Sequence, residues 1–211
     1  ARVPRARREK AREEWGIPAD APLVGMVGRL VGWKGPDVFL AAAAEVSRRM
    51  PQARFMLVGD AVFGERAYLE ELKETARGLG LAGKAVFTGF REDVLELMSS
   101  FDVLVHASLL PDPLPTVLLE AMSLGLPVVA ADGGGVREIV EEGVTGLVVP
   151  PGDAAAMARA VLWALSHARE AREMGEAGRR RAREKFDLAA KCREMEEELA
   201  AVLERRRSRG A

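Results

Sequence analysis

Residues 23–37 read LVGMVGRLVGWKGPD and contain the pattern on which the predicted fold rests. Leu23 to Gly28 is a short apolar run, which predicts a buried strand. Gly35-Pro36-Asp37 then opens a helical stretch through Met50, because proline suits a first helical turn and an early carboxylate complements the helix dipole. A buried strand that leads through a glycine-rich loop into a helix predicts a βα unit.

The same alternation continues along the chain to residue 149. The further predicted strands are Arg54–Gly59, Lys84–Gly89, Asp102–Ala107, Pro127–Ala131 and Gly146–Val149, and the predicted helices between them are Glu65–Arg77, Glu92–Ser99, Thr116–Leu124 and Val136–Glu141. Six apolar runs separated by helices predict a single α/β domain of the Rossmann-like type. Its sheet is expected to be parallel and six-stranded, with helices on both faces and with C-terminal helices added. Ligands bind such sheets beyond the carboxyl ends of the strands.

From Asp153 onward the sequence predicts helices, and the last of them carries an apolar stripe. The stripe residues recur at three- and four-residue steps and are Leu188, Cys192, Met195, Leu199, Val202 and Leu203. This pattern favours a helix that packs on its own domain, and a helix that also packs on a second domain is the alternative. The charged ends, Arg2 to Arg12 and Arg205 to Arg209, predict loose surface segments.

Composition narrows the function classes. The 211 residues carry a formal net charge of −1, so nothing global attracts the chain to nucleic acid or to an anionic membrane. Cys192 is the only cysteine, which precludes an internal disulfide and favours a cytoplasmic location. No apolar run approaches the ~20 residues of a membrane-spanning helix. The absence of Asn and the single Gln52 fit a thermophile, and a GC-rich genome would produce a similar bias.

The loop between the first strand and the first helix combines three glycines with two cations. Gly28, Gly32 and Gly35 allow close backbone approach, while Arg29 and Lys34 bring positive charge to a helix N-terminus. A diphosphate needs this combination, because its spread charge calls for several donors. A glycine-rich turn with two solvated cations fits the loop equally well. The spacing does not match a Walker loop.

Two carboxylates follow the fourth predicted strand. Asp112 lies in the loop after it, and Glu120 lies eight residues later on the next helix. Carboxylates accept hydrogen bonds from vicinal hydroxyls, so the pair could bind a sugar or a ribose. The amides of Thr116 and Val117, at the start of that helix, could donate to a phosphate. A solvent-facing Asp and a helix-surface Glu are the alternative.

Three aromatic residues near these loops have simpler predicted roles. Trp33 is predicted to pack rather than to stack on a base. His106, which closes the fourth strand, is predicted to be packed or hydrogen-bonded rather than catalytic, and His167 is predicted to be exposed. Two histidines so far apart in sequence offer few ligands for zinc, and no metal site is predicted.

An ordered series of short motifs resembles the C-terminal, donor-binding domain of retaining GT-B glycosyltransferases of family 4, often called glycosyl transferase group 1. The resemblance covers roughly Pro22 to Phe186. Each motif is weak alone, and their order makes the resemblance specific. The motifs are Gly28-Arg29…Lys34-Gly35, Gly89-Phe90, Asp112…Glu120-Ala121-Met122, Gly125–Ala130, Gly133-Gly134…Glu138, Gly143-Val144-Thr145-Gly146 and Pro151-Gly152-Asp153.

The resemblance implies a role for each matching position. Arg29 and Lys34 match the pair that holds the donor diphosphate, and Gly89-Phe90-Arg91 matches the segment whose backbone meets the base. Asp112 stands where the family usually has the Glu that contacts the donor sugar, and Glu120 matches the Glu that holds the ribose. The chain departs from the pattern at Asp112, which is one methylene shorter than Glu.

A second departure is Pro115, which stands at a common glycine and has no N–H to offer a phosphate. It leaves the amides of Thr116 and Val117 as the donors of this loop. Taken together, the departures at Asp112 and Pro115 affect the implied contacts to the donor sugar more than those to the diphosphate.

The implied protein is the donor half of a hexosyltransferase that keeps the anomeric configuration. Its predicted parts are an interdomain run-in at 1–21, a nucleotide-sugar-binding domain at 22–186, and an amphipathic helix with a basic tail at 187–211. The resemblance also implies a missing N-terminal domain that recognises the acceptor, so the chain alone should be inactive. The implied donor is a nucleoside diphosphate sugar, with UDP-sugar favoured and GDP- or ADP-sugar open, and no tightly bound cofactor or metal is needed. A non-hydrolysing nucleotide-sugar epimerase and a non-catalytic nucleotide-sugar-binding domain are the alternatives.

Overall fold

A computed structural model of the chain describes residues 5–61 and 66–209. Its strands are β1 (Leu23–Val27), β2 (Arg54–Val58), β3 (Ala85–Phe87), β4 (Val103–His106), β5 (Val128–Ala131) and β6 (Leu147–Val149). They form a six-stranded sheet in the order β3-β2-β1-β4-β5-β6, and every pair in it is parallel. The predicted Rossmann-like α/β fold is confirmed, and each predicted strand matches an observed one to within two residues at either end.

The sheet order reverses direction between β1 and β4. The chain first moves outward from β1 to β2 and β3, then returns to the other side of β1 and continues through β4, β5 and β6. The loops that follow β1 and β4 diverge at this point and leave a crevice at the carboxyl edge of the sheet. All the candidate loops named from the sequence follow strands at this edge.

Nine helices surround the sheet within the described ranges, and helical periodicity located those between the strands. They are α1 (Arg5–Glu14), α2 (Pro36–Arg49), α3 (Arg66–Gly78), α4 (Val94–Met98), α5 (Thr116–Leu124), α6 (Val136–Ile139), α7 (Ala154–Ser166), α8 (Ala168–Lys185) and α9 (Leu188–Arg209). The predicted bounds of α5 are the observed ones. The predicted start of α3 at Glu65 lies outside the described residues.

Two apolar clusters cover the two faces of the sheet. Alternate residues of β2 enter different clusters: Phe55 and Leu57 pack with α2, α3 and α7, whereas Met56 and Val58 pack with α1, α4, α5 and α8. Both sets are buried, which explains why β2 reads as a continuous apolar run rather than as an alternating one. The sheet is therefore a buried central layer, and its ligand edge is formed by loops.

The expectation that Arg2 to Arg12 is a loose surface segment is wrong for residues 5–12, which belong to α1. Arg12 is only 3% exposed. Its guanidinium donates to the backbone carbonyls of Pro18, Ala19, Ala21 and Ser100 and to the carboxylate of Asp102. A basic residue can be buried when its N–H groups all find acceptors, as those of Arg12 do. These hydrogen bonds connect α1 to the amino edge of the sheet.

The apolar stripe of α9 does not pack on the domain as favoured from the sequence. Leu188, Met195 and Leu199 are 76%, 65% and 59% exposed, and Val202 and Leu203 are about half exposed. The expected loose segment Arg205 to Arg209 is the last part of this helix. The structure thus leaves a long helix with an uncovered apolar stripe. Across the described residues, no helix is both long and apolar enough to cross a membrane.

Candidate functional site

The loop after β1 is held in shape by backbone hydrogen bonds to neighbouring strands. The N–H of Gly28 donates to Val58 O at 2.9 Å, and that of Leu30 donates to Asp60 O at 3.0 Å. A short 3₁₀ turn at Gly32–Lys34 follows and ends at Gly35, whose φ is +68°. A Cβ on Gly35 would lie 2.2 Å from Ala107 O, so glycine is required for the loop to pack against the end of β4.

Lys34 and Asp112 meet at the centre of this edge. Lys34 Nζ lies 2.5 Å from Asp112 Oδ2, and the two side chains are 18% and 11% exposed. The two residues are 78 positions apart, so the sequence predicted each of them but not their contact. The ammonium also lies 4.3 Å from the centre of the Trp33 ring. The half-buried Trp33 therefore supports the cation through its ring face, in agreement with its predicted packing role.

His106 completes a cluster around the carboxylate of Asp112. Its Nε2 lies 3.5 Å from Asp112 Oδ2 and 3.1 Å from Ser108 Oγ. The residue is 5% exposed, and its Nδ1 is buried with no hydrogen-bond partner among the described residues. His106 is packed and hydrogen-bonded as predicted, but its place beside Asp112 was missed. The position of His106 at a strand end, six residues before Asp112, was the only signal in the sequence.

Electrostatics hold this cluster in one charge state near neutral pH. Burial acts to raise the pKa of Asp112, but the hydrogen bond and charge of Lys34, followed by the hydrogen bond of His106, outweigh it, so the pKa lies below its ordinary value. Burial, followed by the charge of Lys34, lowers the pKa of His106. The carboxylate is thus an anion, the imidazole is neutral, and Lys34 supplies the positive charge.

Arg29 stands at the mouth of the same loop. It is exposed, and no carboxylate among the described residues pairs with it. Its guanidinium carbon lies 5.7 Å from the centre of the Trp33 ring. Arg29 and Lys34 therefore flank one indole, and the guanidinium remains available to an anion.

The start of α5 follows β4 at this edge, and no described residue accepts a hydrogen bond from the N–H groups of Thr116 and Val117. Pro115 is its N-cap residue and gives no side-chain cap. The N–H of Leu118 bonds back to Pro115 O at 3.0 Å, so those of Thr116 and Val117 lie in the first turn ahead of it. Glu120 lies one turn further along α5. It is half-buried, and its carboxylate forms no ion pair with the described residues.

In the segment after β3, residues 89–91, backbone groups rather than charged side chains are left to contact a ligand. Gly89 has a φ of +70°, and its carbonyl accepts from Gly59 N–H at 3.1 Å. Phe90 is 75% exposed. The guanidinium of Arg91 is already bound to Asp93 at 2.8 Å and to Glu14 at 2.9 Å. These contacts leave the backbone of Arg91, not its charge, for a ligand.

The loop after β5 braces the backbone of Asp112. Gly135 N–H donates to Asp112 O at 2.9 Å. Gly134 has a φ of +57°, and a Cβ there would lie 2.1 Å from the same carbonyl oxygen. Glu138 is exposed, and its carbonyl accepts from Arg181 at 2.8 Å. The three consecutive glycines thus allow two loops to touch through their backbones.

Two further features of the described residues bear on where ligands bind. A cavity of about 710 Å³ lies at the opposite, amino edge of the sheet, lined among others by Pro22, Asp102 and Pro127. It shares no residue with the cluster around Lys34.

In the part of the chain that the structure describes, no three His, Cys, Asp or Glu side chains are grouped so as to hold a metal ion. The arrangement at the carboxyl edge suits an anion with hydroxyl groups beside it.

The sequence matches known glycosyltransferases over most of its length. The model of the family described as glycosyl transferases group 1 matches residues 7–181. The alpha-D-kanosaminyltransferase of Streptomyces kanamyceticus is 38% identical over 157 residues, which are 74% of this chain and 39% of that protein. A GDP-mannose-dependent phosphatidylinositol monomannoside mannosyltransferase of Mycolicibacterium smegmatis is 36% identical over 82% of this chain and 46% of its own length.

Solved structures agree in fold. HepE of Anabaena, crystallised with UDP-glucose, superimposes with a TM-score of 0.90 and is 34% identical over 95% of this chain and 54% of its own. The C-terminal domain of a group 1 protein, LpcC of Francisella tularensis, has a TM-score of 0.76, with 86% of this chain and 93% of that domain covered. Its 23% identity supports the fold alone.

The chain spans about half the length of the relatives and full-length structures it matches. The family match covers residues 7–181, and the relatives named above are more than one-third identical over most of this chain. The chain belongs to the glycosyl transferases group 1 family.

Proposed function

We propose that this chain is the donor-binding half of a glycosyltransferase that moves a sugar from a nucleoside diphosphate to an acceptor hydroxyl with retention of anomeric configuration. The observation that carries the proposal is the Lys34–Asp112 contact at the carboxyl edge, which is 2.5 Å long and lies beside Arg29, a cation that no described carboxylate pairs with. A cation next to a carboxylate at a topological switch point suits a phosphate with a sugar attached. HepE, a relative by fold and sequence, was crystallised with UDP-glucose.

The diphosphate is the proposed partner of the cations. Arg29 can bind two phosphate oxygens at once, Lys34 acts as a point charge, and the N–H groups of Thr116 and Val117 add donors. When the glycosidic bond breaks, its electron pair stays on the phosphate oxygen, so negative charge grows at this place. By analogy with oxyanion holes, each well-placed donor is worth about 2.7–4 kcal/mol to that step.

The sugar, ribose and base are assigned to neighbouring groups. Asp112 binds a hydroxyl of the donor sugar, Glu120 binds the ribose, and the backbone of Gly89, Phe90 and Arg91 meets the base. The commitment of the Arg91 guanidinium to Asp93 and Glu14 supports a backbone role for that segment. A base that is recognised by backbone groups leaves no side-chain signal that would name it, and UDP is the favoured choice.

A second domain completes the proposed enzyme. The chain covers 54% of HepE and 46% of the mycobacterial mannosyltransferase, which leaves room for an N-terminal acceptor domain in the whole protein. The apolar stripe of α9, including Leu199 at 59% exposure, is the surface proposed to pack on it. In this proposal the chain alone binds the donor but does not transfer the sugar, and the whole enzyme acts in the cytoplasm.

Calorimetric titration of the full chain with UDP, GDP and ADP, each with and without magnesium, tests the proposal. One nucleotide is expected to saturate the chain, and Arg29→Ala and Lys34→Ala should each weaken its binding. Arg48→Ala, on an exposed residue at the far end of α2, is the matched control and should bind like the wild type. Wild-type affinity in both Arg29→Ala and Lys34→Ala would overturn the phosphate assignment.

Addition of the matching N-terminal half separates the possible reactions. Sugar transfer supports the proposal, whereas epimerisation or simple binding would identify one of the two alternative functions. Robust transfer by this chain alone would overturn the proposed division into two halves.

A further inference from the structure

His106 has no role in the proposed chemistry, yet it is the most buried titratable group near the site. It is the last residue of β4, and its backbone is paired in the sheet opposite Ala130, so the position of its Cα is fixed by the sheet. The residue is 5% exposed, and nothing in the part of the chain that the structure describes forms a hydrogen bond with its Nδ1. Buried polar atoms are normally hydrogen-bonded, so the contacts of the other ring nitrogen, Nε2, should explain why the imidazole is buried here.

The surroundings of the ring identify the tautomer. Nε2 faces Asp112 Oδ2 at 3.5 Å and Ser108 Oγ at 3.1 Å. An ionised carboxylate only accepts hydrogen bonds, so the nitrogen that faces it carries the proton. The orphaned Nδ1 then buries a lone pair rather than an unpaired N–H group. The low pKa of His106, caused by burial and then by the charge of Lys34, agrees with a neutral ring.

The contacts to Asp112 are distributed unequally over its two oxygens. Lys34 Nζ and His106 Nε2 both approach Oδ2. Among the described residues, neither a hydrogen bond nor an ion pair is formed to Oδ1. With Oδ2 held from two directions, the carboxylate plane is fixed and Oδ1 is left for a ligand.

We propose that His106 is a positioning residue, which donates Nε2–H to Oδ2 of Asp112 and so presents Oδ1 to a hydroxyl of the donor sugar. This inference rests on the proposed function. It adds a determinant of sugar binding that acts through Asp112 and does not touch the ligand. Ser108 Oγ lies near the same nitrogen, at 3.1 Å, and is itself buried.

Nuclear magnetic resonance tests the contact without any ligand. The imidazole nitrogen shifts are expected to show the Nε2–H tautomer, and the pKa of the Asp112 carboxyl should rise in His106→Met because one stabilising donor is lost. His106→Gln keeps a donor at a similar reach and should restore the wild-type titration. The Nδ1–H tautomer, or an Asp112 titration unchanged in His106→Met, would overturn the proposal. Should His106→Met not fold, the wild-type tautomer decides.

Calorimetry tests the consequence for the sugar. His106→Met should weaken UDP-glucose binding about 2- to 10-fold and leave UDP binding unchanged, since one net hydrogen bond supports the sugar contact. His106→Gln should recover the affinity, and Ser108→Ala is the matched control. In an Asp112→Ala background, which leaves no side-chain acceptor, His106→Met should have no further effect, because its influence passes through the carboxylate. An equal loss for UDP and UDP-glucose would indicate a purely structural role and overturn the proposal.

A wrong proposed function and a wrong role for His106 would give different results. If the wild-type chain binds none of the nucleotides, the donor assignment falls and the sugar part of this inference falls with it. The tautomer and the Asp112 titration still decide whether His106 holds the carboxylate.

Discussion

Asp112→Asn should tighten the binding of UDP, although it removes a residue of the proposed site. Lys34 Nζ lies 2.5 Å from Asp112 Oδ2, so the carboxylate already occupies the ammonium that a phosphate would use. A phosphate oxygen bound to Nζ would lie ~2.8 Å from it and hence no more than about 5 Å from the carboxylate oxygen. The two negative groups would therefore repel each other in the complex.

The size of this repulsion follows from Coulomb's law. Two unit charges ~5 Å apart interact by about 1 kcal/mol in water and about 3 kcal/mol at an effective dielectric constant of ~20. The exposures of 18% for Lys34 and 11% for Asp112 place the pair between these limits. Removal of the carboxylate charge should strengthen UDP binding by ~1–3 kcal/mol, which is about 5- to 150-fold in Kd.

UDP-glucose should gain less from this substitution. In the variant its sugar hydroxyl bonds to a neutral amide oxygen instead of a carboxylate, and the weaker hydrogen bond costs about 1 kcal/mol, which offsets part of the relief of repulsion. The assay is calorimetric titration of wild type and Asp112→Asn with UDP and with UDP-glucose. Asp132→Asn is the matched control, because Asp132 lies at the same edge but pairs with Arg137. UDP binding that is unchanged or weaker in Asp112→Asn would refute the shared-cation reasoning.

Three further predictions concern stability. Arg12→Met should lower the free energy of unfolding by about 3–5 kcal/mol in urea titrations, because buried acceptors lose their cation; a loss below ~1 kcal/mol would contradict the anchoring of α1. Gly25→Ala should lower the free energy of unfolding by ~1–3 kcal/mol in thermal or urea melts, because its Cβ would lie 2.0 Å from the Phe101 ring. An unchanged free energy of unfolding would show that the ring can move. The folded-state pKa of Asp112 is lowered, so its contribution to stability is complete above the unfolded-state pKa of ~3.9 and is lost as the pH falls through the folded value. Lys34→Met should flatten that acid limb of the stability–pH curve, and identical curves would argue against the ion pair.

The fold was predictable because each element carried its own local signal. In β2, residues 55–58 form an uninterrupted apolar run after Arg54, which is the pattern of a strand covered on both faces. In α5, the proline before Thr116 and the glycine after Leu124 mark both ends of the helix. Alternation of such elements leaves few topologies, and the parallel sheet with its crevice follows.

The internal geometry of the site was less predictable. The sequence placed Lys34 and Asp112 at the same sheet edge, because both follow neighbouring parallel strands. Their contact depends on the shape of two loops, which is set by backbone packing at Gly35 and Gly134 that no periodicity encodes. His106 belongs to the same category, since its role is visible only once the distances to Asp112 are known.

The two chain ends show how composition alone misleads. The first segment is rich in arginine, which predicts a solvated end, yet Arg12 is buried by acceptors that lie up to 90 residues away. The last helix has an amphipathic stripe, which predicts packing on the domain, yet Met195 and Leu199 are more than half exposed. Local sequence reports which face of a helix is apolar and cannot report what covers that face.

A crystal structure of this chain with its tightest-binding nucleoside diphosphate would locate the proposed donor site. The two phosphates are expected to lie at the carboxyl edge of the sheet, within hydrogen-bond reach of Arg29, Lys34 and the first turn of α5. A nucleotide bound instead in the cavity at the amino edge, beside Pro22 and Pro127, would contradict this expectation. So would a nucleotide at the carboxyl edge whose phosphates touch neither Arg29 nor Lys34.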